Sequence, residues 1–324
     1  MKRLISIAVS LTILAVIYWK IDFPKLVQVF QNCDRLWMVI SLGMVVPITM
    51  LTAWRLQQLM PRHGQKATSL GFGEANNLIL AASVLNMILP SKMGDIAKAY
   101  FMKERGHLSG SLSLSLVVFE KVCDLLSLLL WCVFGLILYQ QKDWLFWLMT
   151  ACVTLGFITG LLLLSSRKFA EIFFIVGRAI APKKFRPKIE KLRGSWREMH
   201  NYFWHDQRQL LTIAGTSVFI WFLHLLQIWF FILALKAWTP FITNLALSPL
   251  AILAGLLPLT FAGVGTRDAA LILFYQPYFN APTAAALGLL CTSRYLIPAI
   301  AGLPFIGQYL AALQNIRGSK TIGS

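Results

Sequence analysis

The sequence predicts an all-α fold: a polytopic integral membrane helical bundle with an inverted repeat and two re-entrant hairpins. Composition is the first reason, because hydrophobic residues make up 57% of the chain and charged residues only 13%. Soluble domains carry about 25% charged residues. Apolar runs recur along the whole length, so no soluble domain can be separated from them. Helices satisfy their own backbone hydrogen bonds in lipid, which favours a bundle of them.

The apolar runs indicate where the chain crosses the membrane. They cover residues 4–19, 36–54, 111–139, 143–166, 209–235 and 245–313. The first run follows two basic residues, as in a signal peptide, but Tyr18-Trp19-Lys20 stands where small residues would mark a cleavage site. We therefore expect a retained first span. We also expect a single membrane domain over 1–324, with a first half of about 1–166 and a second of about 209–316.

Positive charge is concentrated between the two halves. The loop 167–208 contains eleven Lys or Arg and four Asp or Glu residues, which by the positive-inside rule makes it cytoplasmic. Apolar residues such as Phe173 and Trp196 stand beside the basic ones. We expect part of the loop to lie on the anionic leaflet as an amphipathic helix, with a plain solvated loop as the alternative. The net charge of +17 therefore predicts membrane contact and no nucleic-acid partner.

Topology follows from counting spans away from this loop, which places both termini in the cytoplasm. Residues 71–107 then begin and end on the cytoplasmic side, and their apolar part, 78–89, has only 12 residues before Pro90. Such short runs are typical of re-entrant segments, and a buried helix lying flat is the alternative. The second half has a similar short run at 245–257, before Pro258. We expect two re-entrant hairpins that enter from opposite faces.

Charged residues inside the apolar runs indicate the candidate site. Glu120, Lys121 and Asp124 all lie within the run 111–139. One charge at mid-membrane costs at least about 2.5–3.5 kcal/mol on insertion scales, so three of them require a reason. A polar path or site inside the bundle is the first reading. The alternative is an intramembrane salt-bridge network, with Arg267 or Arg294 as further partners, that only holds helices together.

The two halves place similar residues at equal distances. Asp95 and Lys121 are 26 positions apart, and so are Asp268 and Arg294. In each half the acidic residue follows a short apolar run, a proline and a turn that contains glycine. Paired interrupted segments at corresponding positions are a sequence signal for a transporter site. Asn86 lies in the first of these segments, where ligand contact and hydrogen bonding to exposed backbone both stay open.

Three motifs resemble the lysylphosphatidylglycerol synthase transmembrane family, which is also described as flippase-like. They keep the family's order along nearly the whole chain: Asn86-Met-Ile-Leu-Pro90-Ser-Lys92-Met-Gly94-Asp95-Ile-Ala-Lys98-Ala-Tyr100, Phe119-Glu120-Lys121-Val-Cys-Asp124, and Pro258-Leu-Thr-Phe-Ala-Gly263-Val-Gly265-Thr-Arg267-Asp268.

This sequence departs from the usual family pattern at a few positions. Lys98 and Lys121 stand where the family usually has arginine, Asp268 where it has glutamate, and Ala262-Gly263 where it has two glycines. These replacements keep the sign of each charge, but lysine is a point donor whereas arginine is a planar fork. About 20 residues follow Pro304. We therefore expect no soluble aminoacyl-transferring domain of the kind that follows in full-length synthases.

The resemblance implies a flippase or transporter that moves a phosphate-bearing lipid, or a lipid-linked headgroup, between leaflets. Basic side chains would meet the phosphate, and acidic ones would balance charge, contact a cationic headgroup or carry protons. The expected substrate-binding residues are Asn86, Lys92, Asp95, Lys98, Glu120, Lys121, Asp124, Arg267, Asp268 and Arg294.

Further expectations concern partners and location. The lipid would be an anionic phospholipid or a polyprenyl phosphate, in a bacterial-type plasma (inner) membrane. We expect no cofactor and no metal, and the five cysteines include no C-x-x-C pair. Association with a second copy or with a partner enzyme stays open. The alternative function is a membrane glycosyltransferase or accessory enzyme acting on polyprenyl-phosphate or phospholipid substrates, although the chain has no Asp-x-Asp motif or phosphate-cradling glycine loop.

Overall fold

A computed structural model describes residues 23–60, 70–88, 93–105, 110–139, 142–256 and 264–307. Within these ranges the regular secondary structure is helical and contains no strand, which confirms the predicted all-α class. The α-helices, in chain order, are α1 (Phe23–Gln31), α2 (Arg35–Gly43), α3 (Val45–Leu59), α4 (Phe72–Ile88), α5 (Met93–Arg105), α6 (Gly110–Leu138), α7 (Trp144–Ser165), α8 (Arg167–Ile180), α9 (Arg186–His205), α10 (Gln207–Ala234), α11 (Phe241–Gly255), α12 (Thr266–Tyr275) and α13 (Ala281–Gly302).

Several helices are long and apolar enough to cross a membrane, which makes the chain a multi-pass membrane protein. In the described ranges these candidate spans are Arg35–Leu59, Leu112–Leu138, Trp144–Ser165, Gln207–Ala234 and Ala281–Phe305. They correspond to five of the predicted apolar runs. The predicted first span, 4–19, lies outside the described residues.

Polar residues at the helix starts explain several boundaries. The Asp34 carboxylate accepts hydrogen bonds from the backbone N–H groups of Leu36 and Trp37, so α2 begins directly after it. The Ser166 hydroxyl accepts from the N–H of Phe169 and separates α7 from α8. Such N-caps satisfy donors that the first helical turn leaves without partners.

Two pairs of shorter helices occupy the regions predicted to be re-entrant. Helix α4 packs on α5, and α11 packs on α12. Helix α4 has 17 residues, longer than its apolar run, because the polar segment around Glu74 forms its first turns. An acidic residue there is favourable to the helix dipole. Entry of these pairs from opposite faces, and the inverted repeat, stay predictions.

The described chain divides into two compact units. The first unit contains residues 23–48, 127–157 and 219–296, and the second contains 49–126, 158–218 and 297–307. Each unit has its own apolar core of buried side chains: Leu128, Phe231, Leu287 and Tyr275 in the first, and Leu56, Leu78, Phe119 and Met199 in the second. The single membrane domain over 1–324 stays a prediction.

The predicted basic loop is mostly helical. Residues 167–208 form α8 and α9, which pack on each other. Helix α8 is amphipathic: Ala170 and Phe174 are buried, and the opposite face exposes Ile172, Phe173, Ile175, Val176 and Ile180. The structure therefore contains an amphipathic helix of the predicted kind, and its position on the anionic leaflet stays a prediction.

Candidate functional site

The carboxylate of Glu120 is the centre of a buried charge cluster in the second unit. Its Oε1 accepts a hydrogen bond from Arg55 at 2.8 Å, and its Oε2 accepts one from the Lys98 ammonium. Arg55 also pairs with Asp124 and donates to the hydroxyl of Ser217 at 2.8 Å. We call Arg55, Lys98, Glu120 and Asp124 the Glu120 cluster. It joins α3, α5 and α6, with one contact to α10.

Helix geometry explains why these side chains meet. Glu120 and Asp124 are four residues apart on α6 and share one face, so a single guanidinium can contact both. Lys121 is turned about 100° from Glu120 along the same helix. Its Nζ lies 3.2 Å from Oδ1 of Asp95 on α5. Asp95 and Lys121, which are 26 positions apart in the first half, therefore form a direct ion pair.

The two parts of this region differ in burial. The side chains of Arg55, Glu120 and Lys98 are at most 3% exposed, whereas that of Lys121 is 41% exposed. Removing one partner of a fully buried ion pair typically costs about 3–5 kcal/mol, because a charge is left uncompensated. The Lys121–Asp95 pair is more open, so its lysine can exchange partners with less disturbance of the fold.

Asn86 and Gly94 hold the α4–α5 pair together. The side-chain oxygen of Asn86 accepts a hydrogen bond from the N–H of Gly94 at 3.0 Å. A Cβ on Gly94 would lie 2.1 Å from the carbonyl oxygen of Ala82, so only glycine allows this close approach of α5 to α4. The contact supports the backbone reading of Asn86, which thereby satisfies a donor at the start of α5.

A second charge cluster surrounds Asp268 in the first unit. Its Oδ1 accepts two hydrogen bonds from the adjacent Arg267, and its Oδ2 accepts one from the N–H of Gly265 at 3.1 Å. Gly265 has φ 103°, in the left-handed region that favours glycine. Arg267 also donates to the carbonyl of Gly288 and to the hydroxyl of Thr292 on α13. These residues form the Asp268 cluster.

Arg294 lies on α13 in the same region of the first unit. It follows Gly288 and Thr292 on this helix, the two residues that accept hydrogen bonds from Arg267. The side chain of Arg294 is buried, and its Nε has no hydrogen-bond partner in the structure. The acid–base pair is thus Arg267–Asp268, and Arg294 adds a further positive charge.

The sequence-predicted residues fall into three groups. Asp95, Lys98, Glu120, Lys121 and Asp124 come together in the second unit, and Arg267, Asp268 and Arg294 in the first. Asn86 supports the helix pair. Lys92 and residues 257–263 lie outside the described residues.

Sequence reasoning missed Arg55 as a member of the site. The salt-bridge alternative named Arg267 or Arg294, and not Arg55, as further partners of the carboxylates. The described partners of Glu120 are instead Arg55 and Lys98. A signal was present, because Leu56 and Leu59 continue the apolar pattern past Arg55 and are fully buried.

Metal-binding geometry is not formed by the described part of the chain. There, no group of three or more His, Cys, Asp or Glu side chains is placed to hold an ion. The chemistry offered by both clusters is instead that of charge-assisted hydrogen bonding, which suits phosphate and carboxylate groups.

Comparison with known proteins assigns the family. The profile of the family described as the lysylphosphatidylglycerol synthase TM region matches residues 3–302. The chain belongs to this family. Membership in the lysylphosphatidylglycerol synthase TM family confirms the resemblance drawn from the three motifs, and it is consistent with a role related to membrane lipids.

A relative of similar length supports the assignment. The UPF0104 membrane protein MJ1595 of Methanocaldococcus jannaschii is 22% identical over 321 residues, which covers 93% of this chain and 93% of the relative. The similarity therefore extends across both units of this family member.

Proposed function

We propose that this protein moves a phosphate-bearing lipid between the leaflets of a membrane. The Lys121–Asp95 ion pair is the observation that carries the proposal. Lys121 lies in a candidate span too apolar to hold a charge without a purpose, and its side chain is 41% exposed, whereas that of the neighbouring Glu120 is buried. A membrane enzyme acting on the same lipids is the competing class.

Depth supports this reading. Lys121 is nine residues into the candidate span Leu112–Leu138, which is roughly 14 Å along the helix axis. The hydrocarbon core is about 30 Å thick, so a helix that enters it at Leu112 would carry Lys121 near its middle. An accessible ammonium at that depth needs a polar route beside it.

In the proposed mechanism of lipid transfer, the Lys121 ammonium exchanges one partner for another. Lys121 holds Asp95 by one contact of 3.2 Å. A phosphate that approaches this face can replace the carboxylate as the partner of the ammonium, while the sealed pairs around Glu120 keep α3, α5 and α6 in place. In the first unit, the Nε–H group of Arg294 is a second donor for a phosphate, because Nε has no hydrogen-bond partner in the structure.

The test is a leaflet-specific lipid assay on the purified protein in liposomes. Fluorescent phosphatidylglycerol, phosphatidylethanolamine and a polyprenyl phosphate analogue would be compared by quenching from outside. Lys121→Ala should abolish transfer of the preferred lipid, and Lys121→Arg should retain much of it, because arginine keeps the charge. Lys142→Ala, an exposed lysine in the first unit, is the matched control.

Two results would overturn the proposal. One is normal transfer by a monodisperse, correctly inserted Lys121→Ala protein, which would leave the charges with a structural role only. The other is a chemically new lipid, found by mass spectrometry in liposomes given a soluble donor, that disappears in Glu120→Gln with no change in leaflet distribution. That result would establish the enzyme class.

A further inference from the structure

A second concentration of basic side chains lies outside the candidate spans, between α8 and α9. It surrounds a pocket of about 280 Å³. The charged lining consists of Arg167 and Glu171 on α8 and of Arg193 and Arg197 on α9, and His200 completes it. We call it the α8–α9 pocket. Arg197 pairs with Glu171, and Arg193 pairs with Glu190 just outside the lining. Three guanidinium groups against two carboxylates leave one net positive charge even when the histidine is neutral.

The pocket has rigid apolar walls. Phe174 and Trp196 line it, and both are buried, with ring centroids 5.9 Å apart. The indole N–H of Trp196 donates to the carbonyl of Leu163 at 3.3 Å, which fixes α9 to the end of α7. Trp204 makes the same kind of bond to Leu164 at 3.0 Å. Such anchoring makes the pocket a preformed cavity of the kind that binds small groups.

Two buried nitrogens in the lining lack hydrogen-bond partners. They are Nε of Arg193 and Nε2 of His200. A buried donor without an acceptor costs about 1–3 kcal/mol, so the Nε–H group of Arg193 favours an acceptor from outside the protein. The Nε of arginine always carries a proton. An anion in the pocket is the ligand that satisfies it.

The surroundings indicate where such an anion comes from. Helix α8 begins two residues after α7 ends at Ser165, and its exposed apolar face includes Phe173, Ile175 and Ile180. An apolar stripe flanked by basic residues, directly after a membrane span, is typical of a helix in the lipid interface. Headgroups of the same leaflet are then at the level of the pocket.

We propose that the α8–α9 pocket binds the phosphate of an anionic lipid headgroup, while the apolar face of α8 contacts the acyl-chain boundary. This is a headgroup-docking site separate from the two charge clusters, so it can exist whether or not the protein transfers lipid. The guanidinium of Arg193 contacts the phosphate, Arg167 supplies a second positive charge, and Glu171 opposes binding.

Protonation of His200 predicts that anion binding in the α8–α9 pocket depends on pH. Burial and the nearby Arg167 charge hold the pKa of His200 below its usual value of 6.5, and its ring also bonds the backbone at Ser165. Since Nε2 has no partner, that bond uses Nδ1, and Nε2 donates only in the imidazolium form. The groups that face the ring from both helices are Arg167, Glu171, Arg193 and Arg197. A bound anion favours the imidazolium, so anion affinity increases as the pH falls.

The experiment measures binding to the full-length protein in detergent by native mass spectrometry. The probes are dioctanoyl phosphatidylglycerol, dioctanoyl phosphatidylcholine and inorganic phosphate. We expect phosphatidylglycerol to bind best. Arg193→Gln should weaken its binding about tenfold or more, as for a lost charge-assisted hydrogen bond, and Glu171→Gln should strengthen it. A general loss of fold would weaken lipid binding in both variants, so weaker binding in one and stronger binding in the other excludes it.

A matched control separates the pocket from net charge. Lys191→Gln removes one exposed charge from α9 outside the pocket lining and should bind the lipid like the unchanged protein. Binding should also tighten between pH 7.5 and 5.5, and His200→Gln should remove that dependence.

Three results would overturn the inference. Arg193→Gln binding like the unchanged protein would remove the pocket as the site. Equal weakening by Lys191→Gln would show a diffuse charge effect. Inorganic phosphate that binds as well as phosphatidylglycerol would make this a free-anion site and remove the lipid as its ligand.

Discussion

The Glu120 cluster and the Asp268 cluster compensate their charges in different ways. Around Glu120, including the Lys121–Asp95 pair, three basic side chains face three acidic ones on α3, α5 and α6. Around Asp268, the acid–base pair joins adjacent residues of one helix, and Arg294 adds a positive charge. The first arrangement fastens helices together, whereas the second leaves a cation for another partner.

Sequence separation explains the difference. Arg55 is 65 residues from Glu120 and 69 from Asp124, so those hydrogen bonds form only when distant helices pack. Arg267 is one residue from Asp268, so that pair exists as soon as α12 forms. Charges paired over long distances contribute to tertiary stability. The local Arg267–Asp268 pair shapes the start of α12, and Arg267 connects that end to α13 through Gly288 and Thr292.

The largest expected effect comes from removing the cation shared by two carboxylates. Arg55→Gln leaves Asp124 without its guanidinium and Glu120 with Lys98 alone, so we expect a loss of about 3–5 kcal/mol in the free energy of unfolding. Arg35→Gln, at the exposed start of α2, is the matched control and should have little effect. Thermal unfolding in detergent measures both. A stable Arg55→Gln protein would contradict the fastening role of the Glu120 cluster.

Glycine substitutions compare the helix contacts of the two units. A Cβ on Gly94 would lie 2.1 Å from a backbone carbonyl, and one on Gly288 would lie 2.8 Å from the Asp268 carboxylate. We expect both alanine variants to lose about 1–3 kcal/mol of stability. Gly94→Ala should lose more, since a helix backbone yields less than a side chain.

The control for these variants is Gly177→Ala on α8, where a Cβ would meet no atom within 4 Å. That change should be neutral or stabilise the protein by about 0.5–1 kcal/mol, because alanine favours a helix more than glycine does. Equal melting temperatures for Gly94→Ala and Gly177→Ala would show that the α4–α5 contact is looser than described.

The smallest expected effect on stability comes from Arg294→Gln. Its Nε has no hydrogen-bond partner, and its guanidinium lies 5.9 Å from the centroid of the Tyr295 ring, a contact worth about 1 kcal/mol or less. We therefore expect a change within about 1 kcal/mol, far below that of Arg55→Gln. Transfer of the anionic lipid should nevertheless fall severalfold if Arg294 contacts the phosphate. Equal transfer with and without Arg294 would leave the Asp268 cluster without a role in lipid contact, and the difference between the two clusters would then concern stability alone.

Some of the site was predictable because the rules concerned are local. Glu120, Lys121 and Asp124 stand out as charges in an apolar run, and the offset of 26 residues in both halves drew attention to Asp95, Lys121, Asp268 and Arg294. The structure pairs Asp95 with Lys121, but it pairs Asp268 with the adjacent Arg267. Equal spacing in two halves predicts which helices correspond, and it does not determine which side chains touch.

The sequence by itself determined the all-α membrane class, the positions of the described spans and the amphipathic character of α8. These features depend on composition and hydrophobic periodicity, and both can be read directly from the sequence. Only the tertiary structure placed Arg55 between Glu120 and Asp124, used Asn86 to support α5, and closed a basic pocket between α8 and α9. Each of those contacts joins residues on different helices, and the geometry of helix packing, which local patterns do not record, decides which of them meet.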